Sequence, residues 1–261
     1  MNIEFSTHSE YYRLEQDFPI PIKTNIPEWF KKLEHGVPCP DVENLNIPLT
    51  KTIKGCMPFL ETLSSGYLLK LPVDYYIQHG VKKDKEGKPI SRFYTALNTP
   101  GGESQYLMAR GLNIAYPNCH PIDQLEGSPF VKQNGNLPFQ KILNPWRIKT
   151  PKGYSCLFVN PLNNPAHDYF HIMSGIVHTD KYPQEVNFPI VINAEKYKDL
   201  NTIIAKGTPY AQIIPFKRDN WKMTTKSITD IEIKKRGALW SLTFSNIYKN
   251  LFWNKDKTSW T

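Results

Sequence analysis

The sequence predicts an all-β fold, either a sandwich, a jelly roll or a barrel. Short apolar runs recur at roughly even spacing, and turns containing Gly, Pro, Asn or Asp separate them. The chain of 261 residues holds 22 prolines, and because proline interrupts helices, this number argues against a helix bundle. The hydrophobic fraction of 40% is that of a globular protein, not of a disordered or fibrous one.

The N-terminal part of the chain, up to residue 50, is rich in proline and irregular. Residues 26–33 predict one helix there, with Pro27 near the first helical position, which proline favours. We therefore expect three parts: an N-terminal arm over residues 1–54, a β domain over 55–220 and a C-terminal extension over 221–261.

The β domain is expected to contain strands in a regular order. Residues 62–78 alternate and are rich in Leu, Tyr and Val, which predicts two strands around a turn. The charged segment 82–88 contains a glycine and predicts a hairpin tip. Residues 98–145 are rich in turn residues, so an insertion over about 79–145 is expected. Further strands are predicted at residues 146–150, 154–159, 170–177, 186–193 and 210–216.

The pattern changes from Ile228 onward. Apolar residues there predict a strand and then an amphipathic helix. They are Ile231, Ile233, Leu239, Leu242, Phe244, Ile247, Tyr248, Leu251 and Phe252.

Charge and cysteine content restrict the partners and the cellular location that we expect. The net charge of +8 allows an anionic partner, but Lys and Tyr are scattered, so no nucleic acid partner is expected. No apolar run approaches the roughly 18 residues of a transmembrane helix, and the N-terminus lacks the pattern of a signal peptide. The four cysteines form no C-x-x-C pair and are typical of reduced thiols. The sequence thus predicts a cytoplasmic protein without a membrane partner.

Four short stretches follow one another along the β domain. The first combines Ser-Ser-Gly-Tyr-Leu at 64–68 with residues 71–77, and the second is Thr-Pro-Lys-Gly-Tyr-Ser-Cys-Leu-Phe at 150–158. The third is Ser-Gly-Ile-Val-His-Thr-Asp-Lys-Tyr at 174–182, and the fourth is Ala-Lys-Gly-Thr-Pro-Tyr-Ala-Gln-Ile-Ile at 205–214. In order and spacing they resemble the motifs of the dUTPase and dCTP deaminase superfamily, over roughly residues 62–216 less the insertion.

This resemblance implies a dUTPase-like jelly roll or β-clip barrel, a nucleotide ligand and a homotrimer with sites between subunits. It assigns ligand binding to Gly66, Tyr67, Asn160, Asn163, Gly175, Tyr182, Lys206 and Gln212. The chain is also similar to an uncharacterised family of phage proteins, at residues 55–60, 144–156 and 206–219. That similarity implies a phage origin and the host cytoplasm as a setting, but no reaction.

Departures from the dUTPase pattern argue against standard dUTPase activity. His178 stands where the family carries its catalytic Asp, and Leu68 stands where its first motif carries an Asp. The place of the family's phosphate-binding Arg-Ser pair holds Asn-Pro-Leu-Asn-Asn at 160–164, and the Gly-rich C-terminal segment is missing. A neutral His178 can still act as a general base, with Asp180 beside it on the same face of a strand.

Three hypotheses follow from these residues. The first is binding of a nucleotide or nucleotide-like ligand without fast turnover. The second is an active nucleotide pyrophosphatase or deaminase of altered specificity, with His178 and Asp180 as the base and the orienting group. The third is a virion or assembly protein that uses the fold as a trimeric plug.

No cofactor is predicted, except that a bound triphosphate would bring Mg²⁺ with it. His178-Thr179-Asp180 matches part of a non-haem iron triad, but no histidine follows His178 to complete it. His167 and His171 have the spacing of a zinc pair on a helix, yet their flanking residues predict no helix. No metal site is therefore predicted.

Overall fold

The computed structural model describes residues 1–8, 18–37, 50–95, 119–242, 248–253 and 260. The chain divides into two compact units. The larger unit comprises residues 1–20 and 66–218, and the smaller unit comprises residues 21–65 and 219–261. The domain limits expected from the sequence stay predictions.

The strands are short and mostly antiparallel to their neighbours. Along the chain they are β1 Glu4–Ser6, β2 Ile20–Pro21, β3 Gly36–Val37, β4 Thr50–Lys51, β5 Tyr67–Lys70, β6 Tyr75–Lys83, β7 Pro89–Thr95, β8 Cys119–His120, β9 Phe139–Ile142, β10 Arg147–Lys149, β11 Tyr154–Val159, β12 Phe170–Ile172, β13 Gly175–Val177, β14 Phe188–Ile192, β15 Leu200–Ile204 and β16 Pro209–Lys217.

The helices are few and short. The α-helices are α1 Glu28–Lys32, α2 Met57–Ser64, α3 Pro129–Gln133 and α4 Asp230–Leu242. Single 3₁₀ turns occupy Ile22–Asn25, Ile53–Gly55 and Ile122–Leu125, and a π turn occupies Tyr248–Phe252. Among the described residues, no helix has the length and apolar character needed to cross a bilayer.

The described residues of the larger unit form three antiparallel sheets and one strand pair. One sheet has the strand order β13-β11-β16-β5, a second the order β12-β14-β9-β8, and a third the order β15-β6-β7. β1 pairs with β10 separately. The all-β fold predicted from the spacing of apolar runs is therefore confirmed.

The core of the larger unit lies between these sheets and is rich in aromatic rings. Tyr75 stacks on Phe93 with ring centroids 4.7 Å apart, and Phe158 lies 5.5 Å from Phe188. Trp146 is buried and contacts Phe18, with ring centroids 5.4 Å apart. Burying this much apolar surface is the main source of stability for such a unit.

Gly66 allows β5 to lie against β16. Its φ is +85°, and a Cβ at this position would lie 2.0 Å from the backbone oxygen of Ile213. Only glycine has both the conformational freedom and the space for this contact. The first motif therefore begins with a glycine that the fold itself requires.

The smaller unit has its own aromatic contacts. Phe30 in α1 stacks on Phe59 in α2 at 5.8 Å, and Trp29 meets both rings edge-on. The Trp253 indole N–H donates to Glu61 at 2.5 Å. The predicted helix near residues 26–33 is confirmed as α1, with Pro27 one position earlier than expected, at the N-cap.

Three element predictions need correction. Residues 62–64 belong to α2 rather than to a strand. The run 170–177 is not one strand, because β12 pairs with β14 whereas β13 pairs with β11.

The third correction concerns the strand expected after Ile228, where the chain instead forms α4. Thr229 and Glu232 make reciprocal hydrogen bonds between side chain and backbone at its first turn, from Thr229 N to Glu232 Oε2 at 2.9 Å and from Glu232 N to Thr229 Oγ1 at 3.4 Å. This capping box starts a helix and leaves Ile231 and Ile233 exposed.

Candidate ligand-binding site

A cavity of about 270 Å³ opens in the larger unit beside β12 and the start of β16. Its apolar wall consists of Pro161, Pro165, Ala166, Phe170, Pro209 and Tyr210. Its polar wall consists of Gln133, Asn160, His167, Asp168, His171 and Asn193. A concave, partly aromatic surface with a few polar groups is the usual form of a small-molecule site.

Asn160 holds the loop after β11 against β12. Its amide oxygen accepts a hydrogen bond from Ile172 N at 2.8 Å, and its amide nitrogen donates to Ile172 O at 3.2 Å. The side chain thus replaces a neighbouring strand over one residue. Asn160 therefore shapes the cavity wall and has both polar atoms engaged.

Gln212 supports the same loop from β16. The side chain is fully buried, and its oxygen accepts a hydrogen bond from Leu162 N at 2.8 Å. Asn163 then turns the chain with a left-handed φ of 56°, a conformation that Asn tolerates better than most residues. Asn160 and Asn163, predicted from the second motif, and Gln212, predicted from the fourth, therefore meet at one loop beside the cavity.

His167 lies in the cavity wall with no internal hydrogen bond. Both ring nitrogens are buried, and neither has a hydrogen-bond partner among the described residues. The ring packs against Phe170 with centroids 4.4 Å apart and against Tyr169 at 5.7 Å. Burial lowers the pKa of His167, which the nearby Asp168 charge partly opposes, so the neutral form is favoured at pH 7.

Two further polar residues of the wall, Asp168 and Asn193, have partners. The Asp168 carboxylate accepts hydrogen bonds from Lys196 and from the Tyr197 hydroxyl, the latter at 2.6 Å, and these bonds lower the pKa of Asp168. Asn193 donates to Asp168 O at 3.4 Å and accepts from Lys196 N. Burial also lowers the pKa of His171.

The predicted catalytic pair, His178 and Asp180, lies elsewhere. β13 ends at Val177, so both residues belong to a turn and not to one strand face as expected. His178 is exposed, whereas the Asp180 side chain is only 2% exposed and pairs with Arg218. The structure therefore does not bring the two side chains into one pocket in the way that strand alternation predicts.

The Asp180 carboxylate accepts hydrogen bonds from Arg218 and Gly153. Arg218 donates to its two carboxylate oxygens at 2.8 and 2.5 Å, and Gly153 N donates at 2.9 Å. The hydrogen bonds from Arg218 and then Gly153 hold the pKa of Asp180 well below its usual range. A carboxylate stabilised in this way is a weak base, and its position ties the start of β11 to the end of β16.

The remaining predicted residues are spread over the unit. Tyr67 in β5 is half-buried and contacts Phe5 edge-on at 5.3 Å. Gly175 begins the edge strand β13, and Tyr182 is 41% exposed in the turn beyond it. Lys206 lies in an exposed turn, where its backbone N–H donates to Asp74 at 2.7 Å. With Gly66, none of these five lines the cavity, so the structure does not gather the full predicted set.

Sequence reasoning missed the aromatic and imidazole side chains of the wall. Phe170 and Tyr210 read as ordinary core residues, and the spacing of His167 and His171 suggested only a metal pair on a helix. In the structure His171 lies in β12, and His167 lies in the loop before it. Among the described residues, no three His, Cys, Asp or Glu side chains form a group that could hold a metal ion.

Comparison with protein-family models gives no match to this chain, and no curated protein matches it.

Proposed function

We propose that this protein binds a nucleotide or nucleotide-like small molecule in the cavity of the larger unit, on a dUTPase-like scaffold that lacks standard dUTPase chemistry. The observation that supports the proposal best is the convergence of two distant motifs at one loop. Asn160 forms part of the cavity wall, and Gln212 holds the backbone of Leu162 behind it at 2.8 Å.

The walls of the cavity suit a planar heterocycle. Phe170 and Tyr210 offer aromatic surface, and aromatic rings pack well on flat heteroaromatic ligands. The volume of about 270 Å³ lies just below the usual range for ligand sites. It therefore suits the base and sugar of a nucleotide better than an entire triphosphate.

Binding without turnover is favoured over hydrolysis at His178 and Asp180. In that hypothesis His178 is the base and Asp180 is the group that orients it, but the Asp180 carboxylate is instead bound to Arg218 and Gly153. Turnover by a pyrophosphatase or deaminase mechanism is the alternative outcome of the binding experiment below.

The proposal also covers the oligomeric state, the origin and the cellular location of the protein. The dUTPase-like jelly roll or β-clip arrangement, the homotrimer, the phage origin and the cytoplasmic location rest on the sequence resemblance. One feature supports association: the edge strand β13 exposes Ile176 by 60%. Native mass spectrometry gives the oligomeric state directly.

The test is binding of a ligand panel, measured by calorimetry and native mass spectrometry. The panel contains free bases, nucleosides, and their mono- and triphosphates. Ala166 is exposed and lines the cavity, so Ala166→Trp fills the space without removing a core contact. Ala205 is also exposed but does not line the cavity, and Ala205→Trp is the matched control.

We expect at least one compound of the panel to bind the wild-type protein and Ala205→Trp, and to lose affinity at least tenfold for Ala166→Trp. Conversion of the compound would instead support the enzyme hypothesis. Absence of binding across the panel would refute the proposal and favour the virion or assembly hypothesis.

A further inference from the structure

His167 differs from Asn160, Asp168 and Asn193 in the cavity wall. Asn160 uses both amide atoms to bond to Ile172. Lys196 donates its backbone N–H to Asn193 and its ammonium group to Asp168. His167 alone among the wall residues has buried ring nitrogens without a partner in the described part of the chain. Buried donors and acceptors without partners are unfavourable, so a group that satisfies them gains affinity.

We infer that His167 recognises the ligand of this cavity by hydrogen bonding, and that the ligand is an uncharged base or nucleoside rather than a phosphate ester. The inference rests on the proposed function and narrows it to a residue and a chemical class. The torsion that orients an imidazole ring is soft, so a small turn of the ring brings a nitrogen toward the cavity. The neutral ring then offers one donor and one acceptor, as the polar edge of a nucleobase requires.

The charge of the wall argues against a phosphate group. Among the described residues that line the cavity, none is Lys or Arg, and the Asp168 carboxylate is already paired with Lys196. Phosphate recognition relies on cationic side chains or on clustered backbone N–H groups. Burial keeps both His167 and His171 in the neutral form at neutral pH, so they do not supply a cation.

Affinity measurements at pH 7.5 test the ligand class. We expect the nucleoside that binds best to bind at least tenfold more tightly than its own 5′-monophosphate. A monophosphate that binds as tightly as the nucleoside, and that Ala166→Trp excludes, would overturn the assignment of class and leave the proposed function standing.

Substitution of His167 tests the residue. We expect His167→Phe to weaken nucleoside binding roughly tenfold, the effect of one hydrogen bond, while His167→Gln, which keeps a donor and an acceptor, loses less. His35→Phe is the matched control, because His35 is an exposed histidine outside the cavity wall, and it should leave the affinity unchanged.

Nuclear magnetic resonance separates direct contact from indirect support. The ¹⁵N shifts of the His167 ring should move on saturation with the nucleoside. Unchanged shifts, or full affinity of His167→Phe together with exclusion by Ala166→Trp, would overturn the role of His167 but not the proposed function. If no compound binds the wild-type protein, the proposed function fails, and this inference fails with it.

Discussion

Two histidines of the larger unit whose ring nitrogens are buried have opposite hydrogen-bond states. His79, in β6, is 1% exposed, and its Nδ1 lies 2.9 Å from Ser91 Oγ while its Nε2 lies 3.1 Å from Asn134 O. Since a carbonyl only accepts, Nε2 donates to Asn134 and Nδ1 accepts from Ser91. His167 has neither kind of partner among the described residues.

The difference separates a structural histidine from a candidate binding residue. His79 is part of a network in which Asn134 also accepts from Ile192 N at 2.7 Å and donates to Leu137 O at 2.8 Å. Such a network fixes the turn after α3 and leaves nothing for a ligand. The His167 imidazole lies beside a cavity, and its two nitrogens can still form hydrogen bonds to a ligand.

The largest expected effect comes from replacing each histidine by phenylalanine. His79→Phe leaves the part-buried Ser91 hydroxyl and the buried Asn134 carbonyl without this partner, so we expect the free energy of unfolding to fall by about 4 kcal/mol. His167→Phe removes two unpartnered nitrogens, so the free energy of unfolding should change by less than about 1 kcal/mol. Chemical denaturation without ligand measures both, and equal losses would contradict the comparison.

The next prediction concerns the pH dependence of the stability that His79 contributes. Burial lowers the pKa of His79 from its ordinary value of 6.5 to about 4. The unfolded chain therefore binds the proton more readily, and the stabilising contribution is complete above pH 6.5 and is lost as the pH falls toward 4. The expected loss is about 3 kcal/mol over this range.

Denaturation curves recorded between pH 4 and 7 measure this dependence. His79→Gln should remove most of it, because glutamine does not titrate. A slope that is the same in His79→Gln and in the wild-type protein would assign the acid sensitivity to other groups.

A smaller effect is expected in the turn that holds His178 and Asp180. Asp180→Ala leaves Arg218 without its buried partner, and we expect the midpoint of thermal unfolding to fall by roughly 5 °C. His178→Ala removes an exposed side chain and should shift the midpoint by less than about 1 °C. Scanning calorimetry of both variants checks this, and a destabilised His178→Ala would show that the exposed histidine has a structural role.

The fold was predictable to the extent that its signals are local. The run 154–159 was predicted as a strand, and β11 has these limits because its residues alternate between two well-packed faces. The prediction of one strand over 170–177 was wrong. Met173 and Ser174 carry the chain from one sheet to another, and nothing in their local pattern marks the crossing. Thr229 and Glu232 have the spacing of a capping box, which predicts the start of α4. The spacing of the apolar residues predicted a strand at the same place.

The candidate site was predictable only in part. Asn160 and Gln212 could be located from ordered motifs, since their neighbours in the chain carry the resemblance. Phe170, Tyr210 and His167 gave no such signal, because their meeting depends on how β12 and β16 are placed in three dimensions. The role of Asp180 depends on Arg218, which lies 38 residues away in the chain, and a pairing over that distance cannot be deduced from one sequence.

The buried position of Trp146 gives the larger unit its own optical signal. It is the one tryptophan in the sequence of that unit, and the other five belong to the smaller unit. Its emission should be blue-shifted and shielded from acrylamide, whereas Trp221, which is 92% exposed, should emit at long wavelength and be quenched readily. Fluorescence of Trp146→Phe beside the wild-type protein can therefore reveal whether the two units melt together or in separate steps.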